Sequence, residues 1–297
     1  LLGLSRIGVE CAEVAEVDIN PIIISPAGEP HVADALVVAG EETAAPPPMP
    51  QVAANLLGDF FHPKSIAFVG ASGRIGKWGH MLFTLTASGG FAGDIYLVNQ
   101  KGGTIAGRPV YKTVGEIPGA VDLAVVTVPA AAVSGLIEEF AAKKIRNMLL
   151  VSSGFGETGP EGKRLESRLV ALARKSGILI IGPNTMGICN PHIHFYCTGS
   201  HVRPQPGATA VVAQSGNMGT QLLAFAEQQG IGIRGFCGSG NEAMVTVEDF
   251  LEGFEKDSVT ETIMLYVESV KDGRRFFNSA CRVGKNKPIV LLKGGRS

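Results

Sequence analysis

The chain has 297 residues, 45% of them hydrophobic and 18% charged, with a formal net charge of -1. That length and apolar content suffice for about two buried cores. The near-neutral charge lacks the clustered basic excess that nucleic acids and anionic membranes demand of a partner, and no apolar run approaches the roughly 18 residues of a membrane span.

The stretch Leu1-Leu2-Gly3-Leu4-Ser5-Arg6 has no basic start followed by a long apolar run, so a secretory leader is not expected, and five widely spaced cysteines suggest no disulfide framework, so a reducing cytoplasm is expected. The start without methionine and the end on Lys293-Gly294-Gly295-Arg296-Ser297 suggest a fragment. Residues 1–40 read as a helix end, an apolar strand Val17–Ile24, a turn at Pro26-Ala27-Gly28-Glu29 and a second strand around His31–Val38. The proline-rich stretch Glu41–Pro50 is extended and linker-like, which places a boundary over 41–54.

From Ser65 the pattern becomes strand, loop, helix, repeated. Short apolar runs at Ile66–Val69, Ile95–Val98, Leu123–Val128, Met148–Val151 and Ile178–Ile181 read as buried parallel strands of one domain over 55–200. A second series at Ala208–Ala213, Ile231–Phe236, Thr262–Val267 and Ile289–Leu292 reads as another over 201–297. The expected fold class is α/β, two doubly wound domains with parallel sheets, the first Rossmann-like.

Gly70-Ala71-Ser72-Gly73-Arg74-Ile75-Gly76 follows the first of these strands and opens a helix, where free N–H groups and the helix dipole favour a phosphate. Its Gly-x-x-Gly-x-x-Gly spacing differs from the dinucleotide fingerprint, and the second strand ends in Asn99-Gln100-Lys101 where a ribose-binding carboxylate would stand. A cation there suits a ribose phosphate, as in coenzyme A or NADP. Glycines at such a turn also serve plain close packing. Val128-Pro129-Ala130, Ser152–Glu157 and Gly182-Pro183-Asn184-Thr185 end three further strands, along the edge where open α/β sheets bind ligands.

Together these loops resemble those of the succinyl-CoA synthetase α-subunit and the related ADP-forming acetyl-CoA synthetases, across essentially the whole chain. The resemblance implies a Rossmann-like CoA-binding domain followed by a flavodoxin-like, succinyl-CoA synthetase-like domain. It assigns Gly70, Ser72, Gly73, Arg74, Ile75, Lys101, Val128, Pro129, Ala130 and Asn184 to coenzyme A, with Thr185 where the family has cysteine. Ser215, Gly216 and Asn217, in Gln214–Gly219, match the turn whose helix N-terminus receives a phosphorylated histidine, although taken alone they would be an ordinary N-cap. Glu268 matches the carboxylate that orients that histidine; otherwise it is a strand-end surface glutamate.

The first 40 residues resemble the last strands of an ATP-grasp domain. There Asp18 has a catalytic match, and Asn20 and Asp34 match ligands of magnesium, whose oxygen preference they satisfy; alone, Asn20-Pro21 is a turn and Asp34 a surface charge.

The implied activity is that of an acid–thiol ligase, exchanging acyl-CoA, ADP and phosphate for free acid, coenzyme A and ATP, with Mg2+ in the complete protein. The implied partners are an acyl-CoA or carboxylic acid and an ATP-grasp domain of the same polypeptide, with a homo-oligomer possible. None of His31, His62, His80, His192, His194 and His201 matches the family's phosphorylated position, so the fragment itself is expected not to turn over. Two alternatives stand beside this one: a synthetase-like regulatory module of a protein lysine acetyltransferase, and an NADP-dependent oxidoreductase.

Overall fold

A computed structural model of the chain describes residues 2–11, 13–40 and 49–294; most of the expected linker and Gly295–Ser297 lie outside the described residues. The chain divides into two compact units, Leu1–Pro48 and Met49–Ser297.

In the first unit, α1 (Leu2–Glu10) precedes β1 (Val14–Ile19), β2 (Ile22–Ile24), β3 (Pro30–Val32) and β4 (Ala35–Ala39). The single strand expected over Val17–Ile24 is two, because Pro21 has no N–H to continue a ladder. β1 pairs antiparallel with β4, Val17 opposite Val37, and β2 with β3, Ile23 opposite His31.

The second unit opens on α2 (Ala54–Phe61). A first sheet follows, built from β5 (Ser65–Val69), β6 (Asp94–Val98), β7 (Gly103–Ile105), β8 (Arg108–Tyr111), β9 (Leu123–Val126), β10 (Asn147–Leu150) and β11 (Leu179–Ile181). Its spatial order is β11-β10-β9-β5-β6-β8-β7, parallel except for the β7–β8 hairpin at one edge. The helices α3 (Trp78–Ser88), α4 (Ala130–Val133), α5 (Leu136–Ala142) and α6 (Pro160–Lys175) make the crossovers. β5, β9 and β10 are buried along their whole length, which is why they show as unbroken apolar runs.

The second sheet has the order β13-β12-β15-β14-β16-β17, from β12 (Gly187–Asn190), β13 (Phe195–Thr198), β14 (Pro206–Ala213), β15 (Ile233–Gly238), β16 (Thr262–Val267) and β17 (Ile289–Lys293). Here α7 (Gly216–Gln228), α8 (Val247–Lys256) and α9 (Gly273–Val283) make the crossovers. β14 to β17 are parallel, whereas β12 runs antiparallel against β15, Ile188 opposite Cys237, with β13 antiparallel beyond it. Residues 187–198 precede the sequence-derived second domain yet hydrogen-bond into its sheet. Only a single 3-10 turn, Pro191–Ile193, lies between these four-residue strands, so periodicity does not separate them from the loop before.

The two sheets form one body. A shared core takes Phe60, Phe68 and Leu82 together with Phe195, Val212 and Phe250. The loops clasp as well: the amides of Asn241 and Ala243 donate to the carbonyls of Pro183 and Gly182 at 2.9 and 3.0 Å. Behind this clasp, Thr246 and Asp249 close a capping box at the start of α8, and Asp249 also accepts from the Val52 amide at 3.0 Å.

Candidate functional site

Strand order decides where ligands meet these sheets. In the first sheet the chain reverses its direction of travel between β5 and β9, and in the second between β14 and β16. Adjacent loops diverge at such switch points and leave a crevice beyond the strand C-termini. At the first, the crevice lies between the glycine loop and Thr127–Ala130; at the second, between Gln214–Asn217 and Glu268.

The glycine loop is held from below. The amides of Gly70 and Ala71 donate to the Val98 carbonyl at 2.9 and 3.1 Å, and Asn99 Nδ2 donates to the Ala71 carbonyl at 2.9 Å. The Thr127 hydroxyl lies 3.2 Å from the Val69 and 3.3 Å from the Gly70 carbonyl. Gly70 has φ +93°, and a Cβ on Gly79, in the first turn of α3, would stand 2.2 Å from the Gly70 oxygen; only glycine lets the helix approach so closely. Lys77 occupies the N-cap of α3 without a side-chain capping bond, so the helix presents uncapped N–H groups at an exposed loop that contains Gly73, Arg74 and Ile75. These features fit a phosphate. Lys101 is exposed, its amide donating to Asn99 Oδ1 at 3.0 Å.

The second crevice is pinned by Gln214. Its Oε1 accepts from the amides of Glu268 at 2.7 Å and Ser269 at 2.9 Å, and its Nε2 donates to the Ser269 carbonyl at 2.7 Å. Ser215 is the N-cap of α7, accepting from the Met218 amide at 3.5 Å, and leaves the amides at the start of this 13-residue helix open.

Both crevices open into one cleft of about 730 Å3. It gathers Val128, Pro129, Asn184, Ser215, Gly216, Asn217 and Glu268 from the sequence-derived set. Gly70, Ser72 to Ile75, Lys101 and Ala130 do not line it; they belong to the glycine loop and to strand ends beside it. Asp18, Asn20 and Asp34 lie in the first unit. There Asp18 and Asn20 fall two residues apart along the β1 direction, and the Asn20 amide donates to the Asp34 carbonyl at 3.3 Å. The contact between them is this backbone bond, and among the described residues no three His, Cys, Asp or Glu side chains converge to hold a metal ion.

Residues outside the sequence-derived site set also line the cleft: Lys77, Trp78, Thr127, and Gln214 and Met186 from the loop motifs. Lys77 stands one residue beyond the glycine motif, and proximity to that motif is the one signal that pointed to it. Thr185, in the cysteine position of the family motif, is buried; its hydroxyl donates to the Gly238 carbonyl and accepts from the Gly187 amide at 3.0 Å, a structural role between the sheets.

Beneath the Gln214 turn lies Glu242, 1% exposed, accepting from the Ser239 hydroxyl at 2.7 Å while its Oε2 meets no partner among the described residues. Burial pushes its carboxyl up to about 7, against the hydrogen bond from Ser239 and helped by the like charge of Glu248. The folded protein therefore holds a proton that the unfolded chain gives up near 4.5. Its stabilising effect is complete below 4.5 and is lost as pH rises towards and through 7. Glu242→Gln is expected to flatten the fall in unfolding free energy between pH 5 and 8 by up to about 3 kcal/mol, measured by urea denaturation across that range.

The fold and the cleft define a two-domain α/β protein with a helix N-terminus opening at each of two switch points. Residues 64–191 match the CoA binding domain family and residues 206–297 the succinyl-CoA ligase-like flavodoxin domain. The ADP-forming acetate–CoA ligase I subunit alpha of Pyrococcus furiosus is 43% identical over 80% of this chain and 52% of its own length. The ADP-forming acetate–CoA ligase II of Archaeoglobus fulgidus is 36% identical over the whole chain and 43% of its own length. Among solved structures, the dinucleotide-forming acetyl-coenzyme A synthetase 1 of Ca. Korarchaeum cryptofilum, in complex with phosphate and ADP, superposes with a TM-score of 0.77 at 33% identity, covering 81% of this chain and 52% of that one. The chain thus spans about half the length of these relatives, or less.

The chain belongs to the ADP-forming acyl-CoA synthetase family and contains its CoA-binding and succinyl-CoA ligase-like domains. These relatives are ligases, and none of them supports the oxidoreductase or acetyltransferase-module alternatives. No helix among the described residues is long and apolar enough to cross a membrane, and all five cysteines are free thiols.

Proposed function

We propose that this chain is the coenzyme-holding and phosphate-receiving part of a reversible, cytoplasmic ligase that interconverts acyl-CoA, ADP and phosphate with a carboxylic acid, coenzyme A and ATP. The observation that carries this reading is the single cleft in which the first domain's Val128, Pro129 and Asn184 face the second domain's Ser215–Asn217 and Glu268. When bound, coenzyme A supplies the thiol of the thioester. The glycine loop Gly70–Ile75 and the α3 N-terminus would hold its pyrophosphate, Lys101 its ribose phosphate, and Val128–Ala130 with Asn184 the arm that enters the cleft.

The open amides of Ser215, Gly216 and Asn217 receive a phosphate dianion, and the α7 dipole favours its charge. Glu268, fixed through its amide by Gln214, orients an imidazole by accepting from its far nitrogen. None of the six histidines of this chain lines the cleft, so the phosphate carrier is a histidine supplied from elsewhere in the complete protein. Asp18, Asn20 and Asp34 serve the Mg-nucleotide, together with an ATP-grasp domain of the same polypeptide.

Titration calorimetry on this chain is expected to show saturable coenzyme A binding that NADPH does not displace. Lys101→Glu weakens it about tenfold or more, the size of one charge-assisted contact, and the same substitution leaves dephospho-coenzyme A, which lacks the ribose phosphate, unaffected. Absence of coenzyme A binding to the unmodified chain sinks the proposal.

A further inference from the structure

A second cavity lies at the other end of the second sheet. Arg234 stands at the start of β15, whereas the cleft opens beyond the C-termini of the parallel strands, so the two are separated by the length of a strand, about 20 Å. The cavity, about 290 Å3, sits between α2, which leads into the first sheet, and α8 of the second. Leu57, Phe61, Phe250 and Phe254 form its apolar wall, with Arg234 and Lys256 as its cations. A domain-interface hollow with aromatic walls and one or two convergent polar groups is the usual form of a small-molecule site.

The polar end is built around one buried group. Arg234 is 9% exposed; its Nε and Nη2 donate to Asp257 at 2.7 and 3.0 Å, and Nη2 also faces His62 Nε2 at 3.3 Å. Since guanidinium only donates, His62 Nε2 accepts, and its Nδ1 carries the proton that goes to the Gly58 carbonyl at 3.0 Å. Three of the five guanidinium N–H groups are thereby used, and Nη1 has no hydrogen-bond partner among the described residues. With Lys256 also on the wall, the two cations exceed the one carboxylate, Asp257.

Gly58 adds an independent observation. It lies inside α2, where glycine costs a helix about 0.5–1 kcal/mol relative to alanine. No atom lies within 4 Å of where its Cβ would be, so packing does not demand the glycine. What the missing side chain leaves open is the wall of this cavity.

We propose that this cavity is a binding site for a small monocarboxylate with a compact hydrocarbon body, the carboxylate taken by Arg234 Nη1 and the body by the phenylalanine wall. At about 30 Å3 per water-sized volume, the cavity accommodates roughly ten non-hydrogen atoms, the size of phenylacetate. The site is separate from the cleft and independent of the ligase reading.

The test is titration of the 297-residue chain with phenylacetate, followed by amide NMR and calorimetry, with phenylacetamide and acetate as controls. Saturable shifts confined to residues 54–62, 234–235 and 250–257 are expected, with the amide and acetate each binding about tenfold or more weaker, as expected for loss of the charge or of the body. Gly58→Leu fills the cavity without removing any packed atom and should abolish these shifts while the chain stays folded. Three results overturn the proposal: no saturable binding, equal binding of phenylacetamide, or unchanged phenylacetate binding by Gly58→Leu. Shifts that instead map to the cleft also overturn it, and they leave the ligase reading untouched.

Discussion

Gly79→Ala is expected to lower the unfolding free energy by about 2–4 kcal/mol and to weaken coenzyme A binding by more than tenfold, the opposite of what helix propensity alone predicts. Alanine inside a helix gains about 0.5–1 kcal/mol over glycine. At Gly79 that gain is overwhelmed, because the new Cβ would stand 2.2 Å from the Gly70 oxygen and 3.0 Å from Thr127 Oγ1. Both neighbours are fixed, the first as backbone and the second by its hydrogen bonds to Val69 and Gly70, so the start of α3 must move off the glycine loop. That movement separates the open helix N-terminus from the loop with which it would hold the pyrophosphate of coenzyme A in the proposed function. Gly58→Ala is the matched control: with no atom within 4 Å of its Cβ, it should stabilise the protein by about 0.5–1 kcal/mol. Paired urea denaturations and coenzyme A calorimetry decide the matter, and a stabilised Gly79→Ala with normal affinity contradicts it.

Arg275→Met is expected to cost about 3–5 kcal/mol, the range for removing one partner of a buried ion pair. Arg275 Nη2 donates to Asp249 Oδ1 at 2.6 Å and to Glu252 Oε2 at 2.7 Å, and its Nε to Glu252 Oε1 at 3.1 Å. The Asp249 side chain is 1% exposed and that of Glu252 11%, so both carboxylates are left buried without their cation. Asp249 also closes the capping box of α8 and holds the Val52 amide, so the loss spreads to residues that anchor the start of this unit.

Acid dependence distinguishes this from a loss of packing. Burial alone would raise the Glu252 carboxyl, but bonds from Arg275, Ser279 and Gln51 hold it down at about 2, against 4.5 as its ordinary value. A depressed carboxylate stabilises the fold above 4.5, and that contribution disappears as pH falls through 2. The unmodified chain should therefore lose stability between pH 5 and 2.5 more steeply than Arg275→Met does. Parallel slopes in denaturant titrations across that interval would contradict the ion-pair account.

The parallel strands are legible in the sequence because their signal is local. Thr262–Val267 coincides with β16, and Ile66–Val69 and Ile95–Val98 with β5 and β6 to within one residue. Leu123–Val128 is shorter in the structure, ending at Val126, because Thr127 turns its hydroxyl back onto the loop. β7, β8, β12 and β13 are not legible there: three or four residues carry too little periodicity, and two of these strands belong to a sheet whose other members lie further along the chain.

The sequence by itself determined the α/β class, the place of the glycine loop at a strand-to-helix turn where open amides suit a phosphate, and the helix N-cap turn at Ser215–Asn217. Each of these rests on contiguous residues and on backbone groups whose chemistry does not depend on distant neighbours. Only the tertiary structure decided that the two turns share a cleft, that Lys77, Thr127 and Gln214 take part in it, and that Arg234 and His62 meet at a second cavity. Those facts depend on strand order and on the clasp between residues 182–184 and 239–243, contacts between segments far apart in the chain that no local pattern of residues encodes.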